Sequence, residues 1–252
     1  MKHLIFLLIF SLAGVFACPL KANEPVVTIT TNVGVMKAKL YDNVPNHVKT
    51  FIERAQKGEY NGTLFTRVIK DFMIQGGAEI LPELRPEYFH KKGALAAPRQ
   101  NDDVNPEKKS DMSQFFIVEG KVYRSGELDT LEKVKNYAIR KKALDLYYRP
   151  VKVQLQMLKM DNPREYNKRV AAINAKIDSM ILATPGHLVF TDEQRKAYTT
   201  VGGCHHLDGI YTIFGELTEG FEVLDQIAAQ KTDKYDRPLK DIRIVSITVE
   251  NE

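Results

Sequence analysis

The chain has 252 residues, 44% hydrophobic and 27% charged, with a net charge of +4. That balance is ordinary for a globular protein and too apolar for general disorder, and the length suits one or two domains. With Cys18 and Cys204 as the two cysteines, no disulfide framework is available, and the hydrophobic core must hold the fold unaided.

Residues 1–17 run from a basic start (Lys2, His3) through Leu4-Ile5-Phe6-Leu7-Leu8-Ile9-Phe10 into small residues, the layout of a secretory signal. The apolar run is shorter than the roughly 20 residues that cross a bilayer. Two cleavage sites remain open. Val15-Phe16-Ala17-Cys18 is like a lipoprotein box, which would leave Cys18 lipidated and the protein tethered to a membrane. A cut after Ala22 would instead release a soluble protein into the periplasm.

From Val26 to Tyr41 the residues alternate as a β-hairpin turning at Thr31-Asn32-Val33-Gly34. Pro45 to Lys57 carries Val48, Phe51, Ile52 and Ala55 as a helical stripe closed by Gly58. Short strand-like runs follow at 63–69, 72–75, 95–97 and 114–118, a spacing that suits a barrel or sandwich.

The pattern changes near Leu128. Leu144, Tyr147, Tyr148, Val151, Leu155 and Leu158 form a stripe of period 3.6, within which Pro150 predicts a kink. Asn162-Pro163 predicts the capped start of a second helix, striped by Tyr166, Val170, Ile173, Ile177 and Met180. The pair reads as an antiparallel helical hairpin. Thr191-Asp192-Glu193-Gln194 is a capping box opening a further helix. A strand at 211–217, a helix at 222–229 and an alternating strand at 242–249 close the chain.

Three ordered segments carry the chemistry: Leu64-Phe65-Thr66-Arg67-Val68-Ile69-Lys70-Asp71-Phe72-Met73-Ile74-Gln75-Gly76-Gly77, then Ser113-Gln114-Phe115-Phe116-Ile117, then Leu207-Asp208-Gly209 with Phe214-Gly215. Together they resemble the cyclophilin family of peptidyl-prolyl cis-trans isomerases. The resemblance implies a mainly β protein: a closed antiparallel barrel of about eight strands with capping helices, spanning residues 25–120 and 198–252. Residues 121–197 fall outside it as an inserted helical hairpin.

The activity so implied is rotation about X-Pro bonds in exported polypeptides, with no cofactor, no metal and no nucleic acid, by a protein expected to be a monomer. By resemblance, Arg67 and Gln75 are catalytic, and Phe72, Met73, Phe116 and Leu207 line the proline slot. Gln114, the main chain near Arg99, His206 and Tyr211 meet substrate. The sequence departs from the family at Thr66, where a His is usual; at His206, where a Trp is frequent; at Tyr211, where another His is frequent; and at Pro98-Arg99-Gln100, where many members have small residues.

Adjacent His205 and His206, read as pointing apart on a strand, do not make a metal motif with Cys204, which reads as a small rim residue near the cleft. Residues 131–170 hold eleven Lys and Arg against four Asp and Glu, so the hairpin is strongly basic while the remainder is slightly acidic. A solvated helical face accounts for this, and so does a surface for acidic clients or lipid headgroups. Both roots of the hairpin fall beside the expected pocket, which predicts that it extends or covers the peptide groove. The competing reading of the whole chain is a non-catalytic peptide-binding chaperone that works through the hairpin.

Overall fold

The computed structural model describes residues 24–77, 82–111, 114–124 and 126–250. The expected leader of residues 1–22, with Cys18, lies outside them.

Eight strands form one antiparallel sheet: β1 (Val26–Thr31), β2 (Val35–Leu40), β3 (Arg67–Ile69), β4 (Met73–Gly77), β5 (Ala94–Ala97), β6 (Gln114–Val118), β7 (Thr212–Glu219) and β8 (Ile244–Glu250). Their order is β3-β4-β6-β5-β7-β2-β1-β8. Along β1 and β2 the alternation does its expected work: Val27, Ile29, Met36, Ala38 and Leu40 are buried while Thr28, Lys37 and Lys39 face outward. β5 and most of β6 are buried on both faces, which tells of a second layer on the outer side of the sheet there.

The closed barrel expected from the sequence is not what forms. The sheet curls into a half-barrel, and no ladder joins β3 to β8 among the described residues. The gap is spanned by a single bridge between Leu64 and Arg243 and by main-chain bonds such as Phe65 N–H to Ile242 O at 3.1 Å. β3 has only three residues, too short to offer β8 a register.

Two helices close the ends. α1 (Pro45–Gln56) buries Val48, Phe51 and Ala55, and the Phe51 ring meets Tyr60, Phe115 and Phe214 at 5.2 to 5.4 Å. Between β6 and β7 lies a helical segment: α2 (Glu127–Lys135), α3 (Tyr137–Tyr147), α4 (Lys152–Asp161), α5 (Pro163–Ala183) and α6 (Asp192–Thr200). α7 (Phe221–Ala228), between β7 and β8, buries Val223, Leu224, Ile227 and Ala228 in the core.

Pro150 sits in a one-turn 3-10 helix (Arg149–Val151) that separates α3 from α4, as the missing N–H requires. α3 and α4 both pack along α5. The Asn162 side chain accepts from Glu165 N–H at 3.1 Å, and Thr191 with Gln194 completes a reciprocal capping box. The buried Asn136 binds both main-chain groups of Leu188, at 2.6 and 2.9 Å, tying the start of α3 to the chain beyond α5.

The segment leaves and returns at one place. Lys121 and Gly203 exchange two main-chain hydrogen bonds, at 3.2 and 3.0 Å. Gly120, at φ 68°, lies so close that a Cβ there would sit 2.3 Å from Gly203 Cα, which only glycine avoids. Beside this seam Phe89, Tyr123, Leu128, Phe190 and Tyr198 make a second small core, separate from that of the sheet.

Candidate active site

Register places the chemistry. Arg67 on β3 pairs with Gln75 on β4, Gln75 with Phe116 on β6, and Phe116 with Ala96 on β5. Directly opposed residues on neighbouring strands share a face, so this row lies on one side of the sheet. The same alternation sends Phe115 the other way, into the core against Phe51, Tyr60 and Phe65.

On the outer face is a pocket of about 130 Å³ lined by Arg67, Phe72, Met73, Gln75, Pro98, Arg99, Phe116, Leu207 and Tyr211. A cavity of about 150 Å³ holds benzene, so this is room for one small ring. Met73, Phe116 and Leu207 are buried in its floor, whereas Arg67 and Phe72 are partly open to solvent.

Several contacts fix the walls. The turn between β3 and β4 puts Asp71 at φ 61°, with its N–H on the buried carboxylate of Glu119. Burial pushes the Glu119 carboxyl above its ordinary value. The Phe72 carbonyl accepts from Glu119 N–H at 3.0 Å and Gly120 N–H at 3.2 Å, so the main chain behind the ring is held. Cys204, expected at the rim, is instead buried with its thiol 3.7 Å from the same carbonyl, and burial pushes the thiol up to about 12. Such a thiol is not a nucleophile at neutral pH.

Arg67 is half exposed, and its Nε lies 3.6 Å from Asp236 Oδ2. Its terminal nitrogens make no hydrogen bond among the described residues. Gln75 donates its amide to the Gln114 carbonyl oxygen, so Gln114 lies just behind the lining. The Arg99 side chain is occupied: Nε donates to Ile210 O at 3.0 Å, Nη1 pairs with Asp102 at 2.6 Å, and the guanidinium stacks 5.4 Å from the Tyr211 ring.

His206 stands outside the lining, exposed, with its ring 5.6 Å from that of Phe72. His205 and His206 lie in a one-turn 3-10 helix (His205–Leu207), not on a strand, with rings at 90°.

Behind the pocket is a network for which the sequence reading gave no role. His90 is fully buried; its ring stacks on Phe116 at 6.1 Å and meets the Tyr211 edge at 6.4 Å. Asp208 accepts from the His90 main-chain N–H at 2.8 Å and from Nδ1 at 3.0 Å, while the Tyr198 hydroxyl donates to its other oxygen. Burial holds the His90 imidazole below its ordinary pKa, which keeps it neutral. Asp208 stands inside the Leu207-Asp208-Gly209 motif, but nothing in the sequence pairs it with residues 118 positions upstream and 10 upstream. Asp236 and Pro98 were likewise without an assigned contact.

The family model for cyclophilin-type peptidyl-prolyl cis-trans isomerases matches residues 26–138 and 183–249, and the chain belongs to that family. It is thereby an enzyme of the peptidyl-prolyl cis-trans isomerase class. A protein of Staphylococcus saprophyticus, described as a candidate peptidyl-prolyl cis-trans isomerase, is 29% identical over 247 residues, covering 91% of this chain and 94% of its own. A Streptococcus pyogenes protein described as a candidate bifunctional phosphatase and peptidyl-prolyl cis-trans isomerase is 28% identical over 242 residues, which are 89% of this chain but 38% of that one. The fold is shared with a cyclophilin-type isomerase of Cryptosporidium parvum, at a TM-score of 0.54 and 20% identity, over 91% of this chain and 99% of that one.

Proposed function

We propose that this protein accelerates rotation about X-Pro bonds in exported polypeptides, with Arg67 as the group that stabilises the twisted amide. The observation that carries the reading is the placement of the Arg67 guanidinium on the rim of a 130 Å³ pocket floored by Met73, Phe116 and Leu207. A proline ring buried on that floor fixes one side of the bond while the other turns.

Rotation takes the amide through a state without resonance, behind a barrier of roughly 18–20 kcal/mol. No bond is cut, so neither a nucleophile nor a metal is called for. As the bond twists, the prolyl nitrogen becomes pyramidal and basic, and a fixed N–H aimed there favours the transition state over the ground state. Arg67 suits this because its fork of donors stays charged and can hold the substrate carbonyl as well. Asp236 restrains Nε and leaves the terminal nitrogens for substrate. Gln75, opposite Arg67 across the strands and tied to Gln114, orients the guanidinium or binds client main chain. Phe72 and Tyr211 wall the ring, and His206 extends the rim beyond Phe72.

Residues 121–197 are an insertion in this reading; the family model matches the two ends of that range, 121–138 and 183–197, and omits 139–182. The leader of residues 1–22 directs export, with Cys18 lipidated if cleavage precedes it, and clients are proline-containing chains met outside the cytoplasm. A chaperone role for the basic helices accompanies this, favoured by exposed Tyr137, Leu146, Met157 and Met160 among the lysines and arginines. The test is return to equilibrium of a cis-enriched X-Pro peptide: a rate rising in proportion to added protein supports the reading, and an unchanged rate overturns it.

A further inference from the structure

A large groove lies beside the pocket, not in it. A cleft of about 670 Å³ opens between the first turns of α2 and the seam, with Tyr123, Leu131 and His205 as its apolar walls and Lys121 and Arg124 at its mouth. One short stretch of chain, His205–Leu207, connects it to the proline site. His205 on the groove and Leu207 in the pocket are two peptide steps apart, so their Cα atoms are at most about 7.6 Å apart. His206 between them reaches the Phe72 ring.

The charge at the mouth is unbalanced. Glu127 is the one acid on the lining, and its carboxylate is already engaged: one oxygen accepts from the Arg124 main-chain N–H at 2.5 Å and the other lies 3.7 Å from Lys121 Nζ. Lys121 also sits 4.5 Å from the Tyr123 ring. The Arg124 guanidinium is exposed and has no ion pair or hydrogen bond among the described residues.

We infer that this groove is a second subsite for the client chain, in which Arg124, supported by Lys121, binds a carboxylate two to four residues from the proline. The inference rests on the proline binding that the proposed function assigns to the pocket, since a proline held there delivers the flanking chain. An extended chain advances about 3.3 Å per residue, so that window reaches roughly 7–13 Å from the proline. Tyr123 and Leu131 would cover the stem of an Asp or Glu while its head meets the guanidinium, a planar fork suited to carboxylates. Such a site would give the enzyme a preference for acidic sequence around its prolines.

The test uses fluorescently labelled eight-residue peptides with one central Ala-Pro pair and Asp, Ala or Lys three residues after or three residues before the proline. Kd by anisotropy and catalysed exchange by NMR are measured for wild type and for Arg124→Glu, whose fold is checked by circular dichroism. One Asp series is expected to bind about fivefold or more tighter than its Ala counterpart. Arg124→Glu is expected to erase or invert that preference, leaving the Ala peptides within twofold. Wild-type affinities within twofold for Asp, Ala and Lys in both series, no binding of any peptide, or a preference that survives Arg124→Glu would each overturn the subsite. A charge preference in binding without catalysed exchange would leave the subsite standing and remove the isomerase reading. Exchange without any charge preference would do the reverse.

Discussion

The Asp208 carboxylate and the His90 imidazole meet at 3.0 Å behind the proline pocket, and the other Asp208 oxygen takes the hydroxyl of Tyr198 on α6. One carboxylate thus joins the layer under Phe116 and Tyr211 to the helical segment between β6 and β7. Tyr198→Phe removes one donor from a partly buried carboxylate, a loss of about 1–3 kcal/mol. Urea unfolding is expected to show that loss, together with a smaller fall in kcat/KM as the support of Phe116 loosens. Unchanged stability would show that the hydroxyl bond contributes nothing net.

Acid should weaken the fold, and the sign follows from burial. Burial holds His90 and His47 below their ordinary value of 6.5, so below that pH the unfolded chain binds protons that the native state refuses. Stability therefore rises with pH in that window and is fully present above 6.5. Glu83, whose carboxyl is held low by its bonds to His47 and Asn46, acts in the same direction at lower pH. Urea midpoints at pH 7.5, 6.5 and 5.5 are expected to fall in that order, and less steeply in His90→Gln. A midpoint that rises on acidification would contradict this.

Much of this was legible in the sequence, for reasons that differ by element. Period-two alternation in 26–41 and the caps at Asn162 and Thr191 are local signals, and the structure realises them. The row Arg67, Gln75, Phe116 was nominated by resemblance, although its coherence lies in strand register, which no single segment encodes. What escaped is long-range. The opening between β3 and β8, the burial of Cys204, and the Asp208 and Asp236 contacts all depend on which distant strands and loops meet. A histidine pair read as strand became a 3-10 turn because its neighbours return the chain from α6 to the pocket.

The two phenylalanines of the pocket should separate binding from folding. Phe72 is half-buried at the edge of the core above a held main chain, so Phe72→Ala is expected to keep the fold and raise KM about tenfold, roughly 1.4 kcal/mol of lost proline contact. Phe116 is buried against His90 and Tyr211, and Phe116→Ala is expected to cost about 3–5 kcal/mol of stability. Steady-state kinetics and denaturation on both variants check the split; equal stability losses would show that Phe72 is also a core residue.

Replacing residues 139–182 with a short glycine-serine link removes most of α3, all of α4 and nearly all of α5 while leaving the Lys121–Gly203 seam and the cluster around Tyr198 in place. Peptide isomerisation is expected to stay within about threefold, and suppression of aggregation of an unfolded client to be lost. If the shortened protein suppressed aggregation as well as the full chain, the helices would have no part in holding clients.

The central claim concerns one guanidinium. Isomerisation of an Ala-Pro peptide, followed by NMR exchange for wild type and Arg67→Ala with binding measured alongside, tests it directly. Loss of a preorganised donor predicts a fall of about 10²–10³-fold in kcat with peptide still bound. Equal rates for the two proteins would contradict the account and leave a pocket that grips proline without turning its bond.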